Sequence, residues 1–425
     1  MRPSGIAFIL VCLLAGPAFA QAQPSAGAVL ENLTLRDAER LFAERNREVR
    51  LARRLTEGAE ADILTARARP NPTLSLGAGI SPSTGIGAGN LRDKHINTTL
   101  GLEQLFERGG KRELRTQTAQ YNAAAVHGEE LDTLRQQRAA LYGAYYDLVL
   151  AQERIRVTEE TAVAFGKTMD AADRRLKAGD IAPTEVARIN VDALRAQNDA
   201  RTARADREKA QLALAYLIGA ESEARRINAA EGWPDMETRF DIDAERVLAG
   251  RADVQAALAR VNASEKSREL ARALRTRDVV AGIQYDRSGD FAPNVYSLTM
   301  SIPLFTSYYF QGEIRRAEVE YQAAQEQLER VRAQALAEIG RATSDLAAAT
   351  ERIRRFREVL LAAAEKAANG AEFAYTRGAI GVMDLLDARR VFYATRLEAI
   401  AAQADYAKAL TAWRAATAPA ASTPR

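Results

Sequence analysis

The chain has 425 residues, with 59 Lys and Arg against 56 Asp and Glu, a formal net charge of +3, and only 6% aromatic residues. Charges so nearly balanced, interleaved along the chain rather than clustered, read as solvated helix faces and argue against a nucleic-acid surface. A composition dominated by Ala, Arg, Glu, Gln and Leu belongs to long helices and coiled coils, not to a row of ordinary globular domains.

The N-terminus carries Arg2, an apolar run from Ile6 to Ala15 and the small-x-small site Ala18-Phe19-Ala20. This predicts a secretory signal peptide over residues 1–20. The run is too short to span a membrane as a helix. Cys12 lies inside it and is the single cysteine, so the mature chain is expected to have neither disulfides nor thiolate metal sites. No later hydrophobic run approaches the length of a spanning helix, so any entry into a membrane must be by strands.

Leu33 to Ala68 is expected to form one amphipathic helix, with Thr34 as N-cap and Asp37 completing a capping-box-like start. Arg69-Pro70-Asn71-Pro72 stops it. The period then changes over 72–105. Leu74, Leu76, Ala78 and Ile80 alternate with Thr73, Ser75, Gly77 and Gly79, and Ile96, Thr98, Leu100 and Leu102 alternate with Asn97, Thr99 and Gly101. Strands of about ten residues with one apolar and one small polar face suit a membrane barrel wall, and equally a soluble amphipathic hairpin. A proline-free tract follows to Lys177, its seam running through Leu114, Tyr121, Leu141, Tyr145, Leu148 and Phe165. A turn at Ala178-Gly179-Asp180-Ile181 precedes Pro183, which opens a return helix and completes a hairpin over 111–219. Residues 220–243, polar and holding Gly232-Trp233-Pro234, read as an irregular connector.

The same order then recurs, which divides the mature chain into a first repeat, 21–219, and a second, 244–418. Ala244 to Arg275 is expected to be helical, and 278–303 holds a second strand pair. Residues 311–418 form a second long hairpin, whose turn is Thr376-Arg377-Gly378-Ala379-Ile380-Gly381. Its first helix should run about 100 Å from Gln311 to Arg377. The seam includes Leu328, Val331, Ala335, Ile339, Leu346, Ile353, Phe356, Leu360, Ala363 and Ala367, with a stutter near Ala335. The Ala/Pro/Ser/Thr-rich tail 419–425 is expected to be disordered.

A sheet of four strands has two open edges, and each unpaired backbone group in hydrocarbon costs several kcal/mol. One chain therefore cannot span a membrane alone and must close a barrel with copies of itself. The helices, charged on every face, must project into water. The fold class expected is predominantly α with a small β part, internally duplicated, in a shared barrel. From a different class, the chain could be a periplasmic or surface coiled-coil scaffold carrying a soluble hairpin. No enzyme motif supports catalysis. His95 and His127 are isolated, the glycines from Gly85 to Gly89 open no helix, and no metal or cofactor site is expected.

The run Leu105-Phe106-Glu107-Arg108-Gly109-Gly110-Lys111-Arg112, the later Pro303-Leu304-Phe305, the strand pairs and the hairpin turns resemble the TolC family of outer-membrane efflux ducts. They are most similar to its CzcC-like branch, which serves resistance-nodulation-division (RND) pumps that expel heavy-metal cations. The resemblance covers nearly all of the mature chain, although Thr306 to Phe310 stands where a shorter polar turn is usual. It implies a homotrimer in outer-membrane lipid. Its β-barrel would have about twelve strands, four from each protomer, continuous with an α-helical barrel in the periplasm. It also implies tips at Gly179, Asp180, Gly378 and Ala379 that dock on a periplasmic adaptor protein joined to an inner-membrane RND-type pump. The family's gate falls on Met383-Asp384-Leu385-Leu386-Asp387-Ala388, with Asp384 and Asp387 as carboxylate rings. Tyr375 matches the family's gate tyrosine. Its acidic partner matches Glu185, where an aspartate is usual, and Ile380 stands where an arginine is expected. The cargo could be metal cations, small organic toxins in multidrug efflux, or unfolded protein in type I secretion.

Overall fold

Proline-free tracts rich in Ala, Leu, Arg and Glu make the frame. In the computed structural model, which describes residues 26–82, 94–236, 242–287 and 294–419, α4 runs unbroken from Lys111 to Ala178. Its 68 residues span roughly 100 Å. After Gly179, α5 (Pro183–Ile218) returns along it, with Pro183 in the first turn where its missing N–H costs nothing. The second hairpin consists of α8 (Gln311–Arg355), a π-helical turn (Phe356–Leu360), α9 (Leu361–Thr376) and the returning α10 (Val382–Thr417). Shorter helices precede each strand pair: α1 (Ala26–Glu31), α2 (Leu35–Arg45) and α3 (Arg47–Arg67), then α6 (Ala244–Gly250) and α7 (Ala252–Ala273). The expected signal peptide, the Gly85–Gly89 loop and residues 420–425 lie outside the described residues.

Both short helical tracts break where the sequence predicts continuity. The Leu33–Ala68 tract divides at Asn46, whose carboxamide accepts from the Val49 N–H at 3.0 Å and donates to the Leu217 carbonyl at 3.1 Å. One side chain thereby caps α3 and ties it to α5. Thr34 caps α2 as anticipated, its hydroxyl accepting from the Asp37 N–H at 3.1 Å. The Ala244–Arg275 tract divides at Arg251, where the backbone turns extended (φ −72°, ψ 141°).

The long second hairpin departs in its phase. Around Ala335 the helix is regular and buries both Ala335 and Ile339, so the four-residue steps there need no local distortion. The irregularity comes later, at Phe356–Leu360, where the π-turn inserts one extra residue into the helical repeat. Beyond it the seam slips by one: Ala364 and Ala368 are buried, and the expected Ala363 and Ala367 face solvent. On α4, Tyr121 is 37% exposed rather than packed, while Ala123, Ala125 and Gly128 are buried, Gly128 against Ala256 of α7.

The connector is more ordered than its polarity suggests. Glu221–Arg226 forms a 3-10 turn, the Leu33 N–H donates to Asn228 O at 2.8 Å, and the Ala230 N–H donates to Leu33 O at 2.9 Å. Ile227 is fully buried and Trp233 stacks on Tyr146 with ring centroids 6.3 Å apart. The apolar minority of the segment fixes its path, joining Phe42, Leu141, Leu148, Leu214 and Ile218 in the largest core. Tyr145 pins this layer: its hydroxyl donates to Leu33 O at 3.0 Å and accepts from the Glu231 N–H at 3.1 Å. Burial pushes the phenol up to about 12, so it stays neutral across the physiological range. Tyr145→Phe leaves the Glu231 N–H without this partner and is expected to cost about 1–2 kcal/mol. The shift of the urea unfolding midpoint measures it.

Candidate functional site: the sheet faces and the helical tip

The sheet is antiparallel in the order β1 (Thr73–Pro82), β2 (Lys94–Phe106), β3 (Val279–Arg287), β4 (Val295–Ser301), so β1 and β4 are its open edges. Its register puts like with like. Leu74 faces Leu102 and Leu76 faces Leu100; across the next ladder Leu100 faces Tyr285 and Leu102 faces Ile283; then Ile283 faces Leu298. Because strand side chains alternate, this pairing gathers every large apolar residue of the middle of the sheet onto one side. Among the described residues nothing covers that side: Leu76 is 76% exposed, Leu298 89% and Met300 72%.

The opposite side carries Ser75, Gly77, Asn97, Thr99, Gly101, Gln284, Ser297 and Thr299, with Glu103 and Asp286 as its charged positions. Asp286 is held in place, accepting from the Thr99 hydroxyl at 2.8 Å and from Gln284 Nε2 at 3.0 and 2.9 Å. Within the described strands no Lys or Arg stands on this side. A hydrocarbon-facing surface backed by a polar, net-acidic one is what a barrel wall around a water-filled channel requires.

At the far end of the helices the two hairpin turns share one geometry. Gly179 and Gly378 both adopt the left-handed conformation (φ 82° and 74°), which a side chain would strain. The Asp180 N–H reaches back to Arg175 O and the Ala379 N–H to Ala374 O, each at 2.9 Å, so both helices close in the same way. Just beyond, Val382 and Leu386 pack with Phe165, Val186 and Ile189, and Leu385 is also buried. Burying that stripe turns Asp384 and Asp387 to the exposed side of α10, one helical turn apart.

The two carboxylates are not equivalent. Asp384 accepts from the Gly381 N–H at 3.2 Å and so caps α10. Asp387 pairs with Arg390, and Arg390 also grips Asp192 of α5, which is only 9% exposed. Tyr375 and Glu185, expected as partners, do not bond within the chain. The Tyr375 hydroxyl instead accepts from Arg175 Nη1 at 3.2 Å, linking the two hairpins, and Glu185 lies in the first turn of α5. Sequence reasoning missed Arg175, Asp192 and Arg390. The Asp387-to-Arg390 spacing was a readable signal, whereas Asp192 reaches Arg390 only through the fold.

Among the described residues no group of three or more His, Cys, Asp or Glu is arranged to hold a metal ion, and no helix is long and apolar enough to cross a membrane.

The chain is 24% identical over 377 residues to the cobalt-zinc-cadmium resistance protein CzcC of Cupriavidus metallidurans, covering 86% of this chain and 85% of that one. Its fold superimposes on a membrane protein from Pseudomonas aeruginosa with a TM-score of 0.79 at 19% identity, covering 90% of this chain and 92% of the other. It also matches the channel CusC with a TM-score of 0.78 at 17% identity, over 94% and 96% of the two chains. The predominantly helical fold with a small sheet is thus that of TolC-like channels. The model of the family described as "Outer membrane efflux protein" matches residues 40–220 and 244–418, and the chain belongs to that family.

Proposed function

We propose that three copies of this chain close one barrel of about twelve strands in the outer membrane and carry exported solute from the periplasm to the exterior. The observation that carries this reading is the sheet itself, with a bare apolar side and two unpaired edges that only further strands can satisfy. In this reading the signal peptide over 1–20 is removed on export. Repeats 21–219 and 244–418, joined by the segment 220–243, descend from one duplicated unit. The recurring element order and the family model's separate match to each half support that descent.

The hairpins of three protomers would form a helical barrel whose tips, at Gly179, Asp180, Gly378 and Ala379, meet a periplasmic adaptor coupled to an inner-membrane RND-type pump. The conduit does no chemistry of its own; the pump supplies the energy. The proposed cargo is heavy-metal cations. The relative's name supports that class, as do acidic groups at both ends of the path: Asp384 and Asp387 at the tip, Glu103 and Asp286 on the polar side of the sheet. Carboxylates in a narrow pore attract cations and repel anions.

Asp384→Ala combined with Asp387→Ala is expected to raise conductance in a planar bilayer and to weaken block by multivalent cations. Because Asp387 shares Arg390 with Asp192, the Asp384 change alone should account for most of the loss. Unchanged block in the double variant would refute the carboxylate rings. Cargo is tested by deleting the gene and growing the strain on cobalt, zinc and cadmium salts. Metal sensitivity that the wild-type copy reverses supports metal export, and sensitivity to organic toxins alone favours a multidrug duct.

A further inference from the structure

The strand-to-helix junction of the second half holds groups that the conduit reading leaves unused. Phe310 caps α8 in the left-handed conformation (φ 60°, ψ 32°), where Gly110 caps α4 (φ 70°, ψ 14°). Glycine adopts that conformation freely, and a phenylalanine there is strained. Ring packing holds it: Phe310 meets Phe305 edge-on at 5.1 Å and Tyr308 at 6.0 Å, and Tyr309 meets Phe305 at 6.5 Å. The Arg277 guanidinium sits over the Phe305 ring at 5.4 Å, and Arg275 Nε donates to the Tyr309 carbonyl at 3.4 Å.

The charge of this layer is left unbalanced. Its carboxylates are taken, Glu107 by Arg115, Asp278 by Lys111 and Glu313 by the Tyr308 hydroxyl. Among the described residues no carboxylate lies in ion-pair range of Arg275 or Arg277. The layer also marks the end of the apolar side. Phe106 and Val279 form its last rung, Phe106 is 54% exposed, Leu304 75% and Tyr308 49%. Arg277 comes two residues before that rung.

We propose that this aromatic-arginine junction binds the headgroup phosphate of an anionic glycerophospholipid in the inner leaflet of the outer membrane. The proposal rests on the barrel reading, since only a sheet lying in the membrane brings its end level with headgroups. Guanidinium groups match phosphate oxygens in a planar, two-pronged geometry, and stacking on Phe305 holds one of them ready. Tyr308 and Leu304 suit the boundary between acyl chains and headgroups. The unpaired positive charge repels the ammonium of a zwitterionic headgroup and favours a net-negative one.

The test uses the full mature chain purified in detergent and offered equimolar dioleoyl phosphatidylglycerol and dioleoyl phosphatidylcholine, with bound lipid counted by native mass spectrometry. Wild type is expected to prefer the glycerol headgroup by about 30-fold, roughly fivefold for each arginine. Arg275→Gln with Arg277→Gln should bring the ratio close to one, while Arg330→Gln, far away on α8, should leave it unchanged. A wild type without preference, or a double variant that keeps it, overturns the proposal. If the double variant does not assemble, the wild-type preference is measured between about 0.05 and 0.5 M salt. A falling preference supports the site, and a salt-independent one overturns it. A detergent-bound trimer indifferent to headgroup sinks this proposal alone. A lipid-free single chain stable without detergent sinks the barrel reading with it.

Discussion

Leu298→Lys in the full chain is expected to destabilise the assembled barrel by about 2–4 kcal/mol and to deplete detergent-stable oligomer, while Ser297→Lys next to it leaves the yield near wild type. The contrast follows from alternation. Leu298 faces Ile283 on the apolar side and is 89% exposed in the single chain, so in the membrane it would meet hydrocarbon. Ser297 faces Gln284 on the polar side, where a lysine would reach the aqueous lumen. Size-exclusion chromatography in detergent reads both. Equal yields from the two variants would show that neither side of the sheet faces lipid.

The second large effect lies at the middle of the helices, where Arg251 is fully buried. Its guanidinium donates to both oxygens of Asp253 at 3.0 and 2.8 Å, to Glu338 at 2.7 Å and to the Ala416 carbonyl at 2.9 Å. Arg135 holds the other Glu338 oxygen at 3.0 Å. One side chain thus joins the start of α7 to the middle of α8 and the end of α10. Burial alone would raise both carboxyls, but the bonds to Arg251 together with the charge of Arg135 outweigh it and hold Asp253 and Glu338 below their ordinary values. Depressed carboxyls contribute stability that is present above the unfolded value of about 4 and lost as pH falls through the lower folded values.

Arg251→Met removes the cation and leaves the partly buried Asp253 beside an apolar chain, at an expected cost of about 3 kcal/mol near neutrality. Glu338 is more exposed than Asp253 and keeps its direct ion pair with Arg135, so Asp253 should carry most of the loss. The deficit should shrink as pH falls towards 4, because protonation removes the stranded charge. Thermal unfolding of wild type and variant across pH 4–8 measures this, and a deficit that is small at pH 7 or constant with pH would contradict the network's role.

What the sequence disclosed, and what it withheld, follows from the range of the interactions. Alternation in Leu74 to Ile80 and Ile96 to Leu102 placed the strands and their apolar side, because that signal lies in neighbouring residues. Thr34 with Asp37, and the turns at Gly179 and Gly378, were readable for the same reason. The breaks at Asn46 and Arg251 were not, since each is decided by distant partners, Leu217 in one case and Glu338 with Ala416 in the other. The π-turn escaped because the residue it inserts leaves the run of apolar positions plausible in either phase, and only the burial of Ala364 shows which one the fold took. At the tip, the exposed carboxylates lay in one local run, whereas the Asp192 to Arg390 and Arg175 to Tyr375 links join different hairpins.

The mass of the mature chain in solution bears most directly on the claim that its sheet is one part of a larger wall. Light scattering of the purified protein should find three chains per particle in detergent and aggregation once detergent is withdrawn. A monodisperse single chain that keeps its fold in plain buffer would contradict the account.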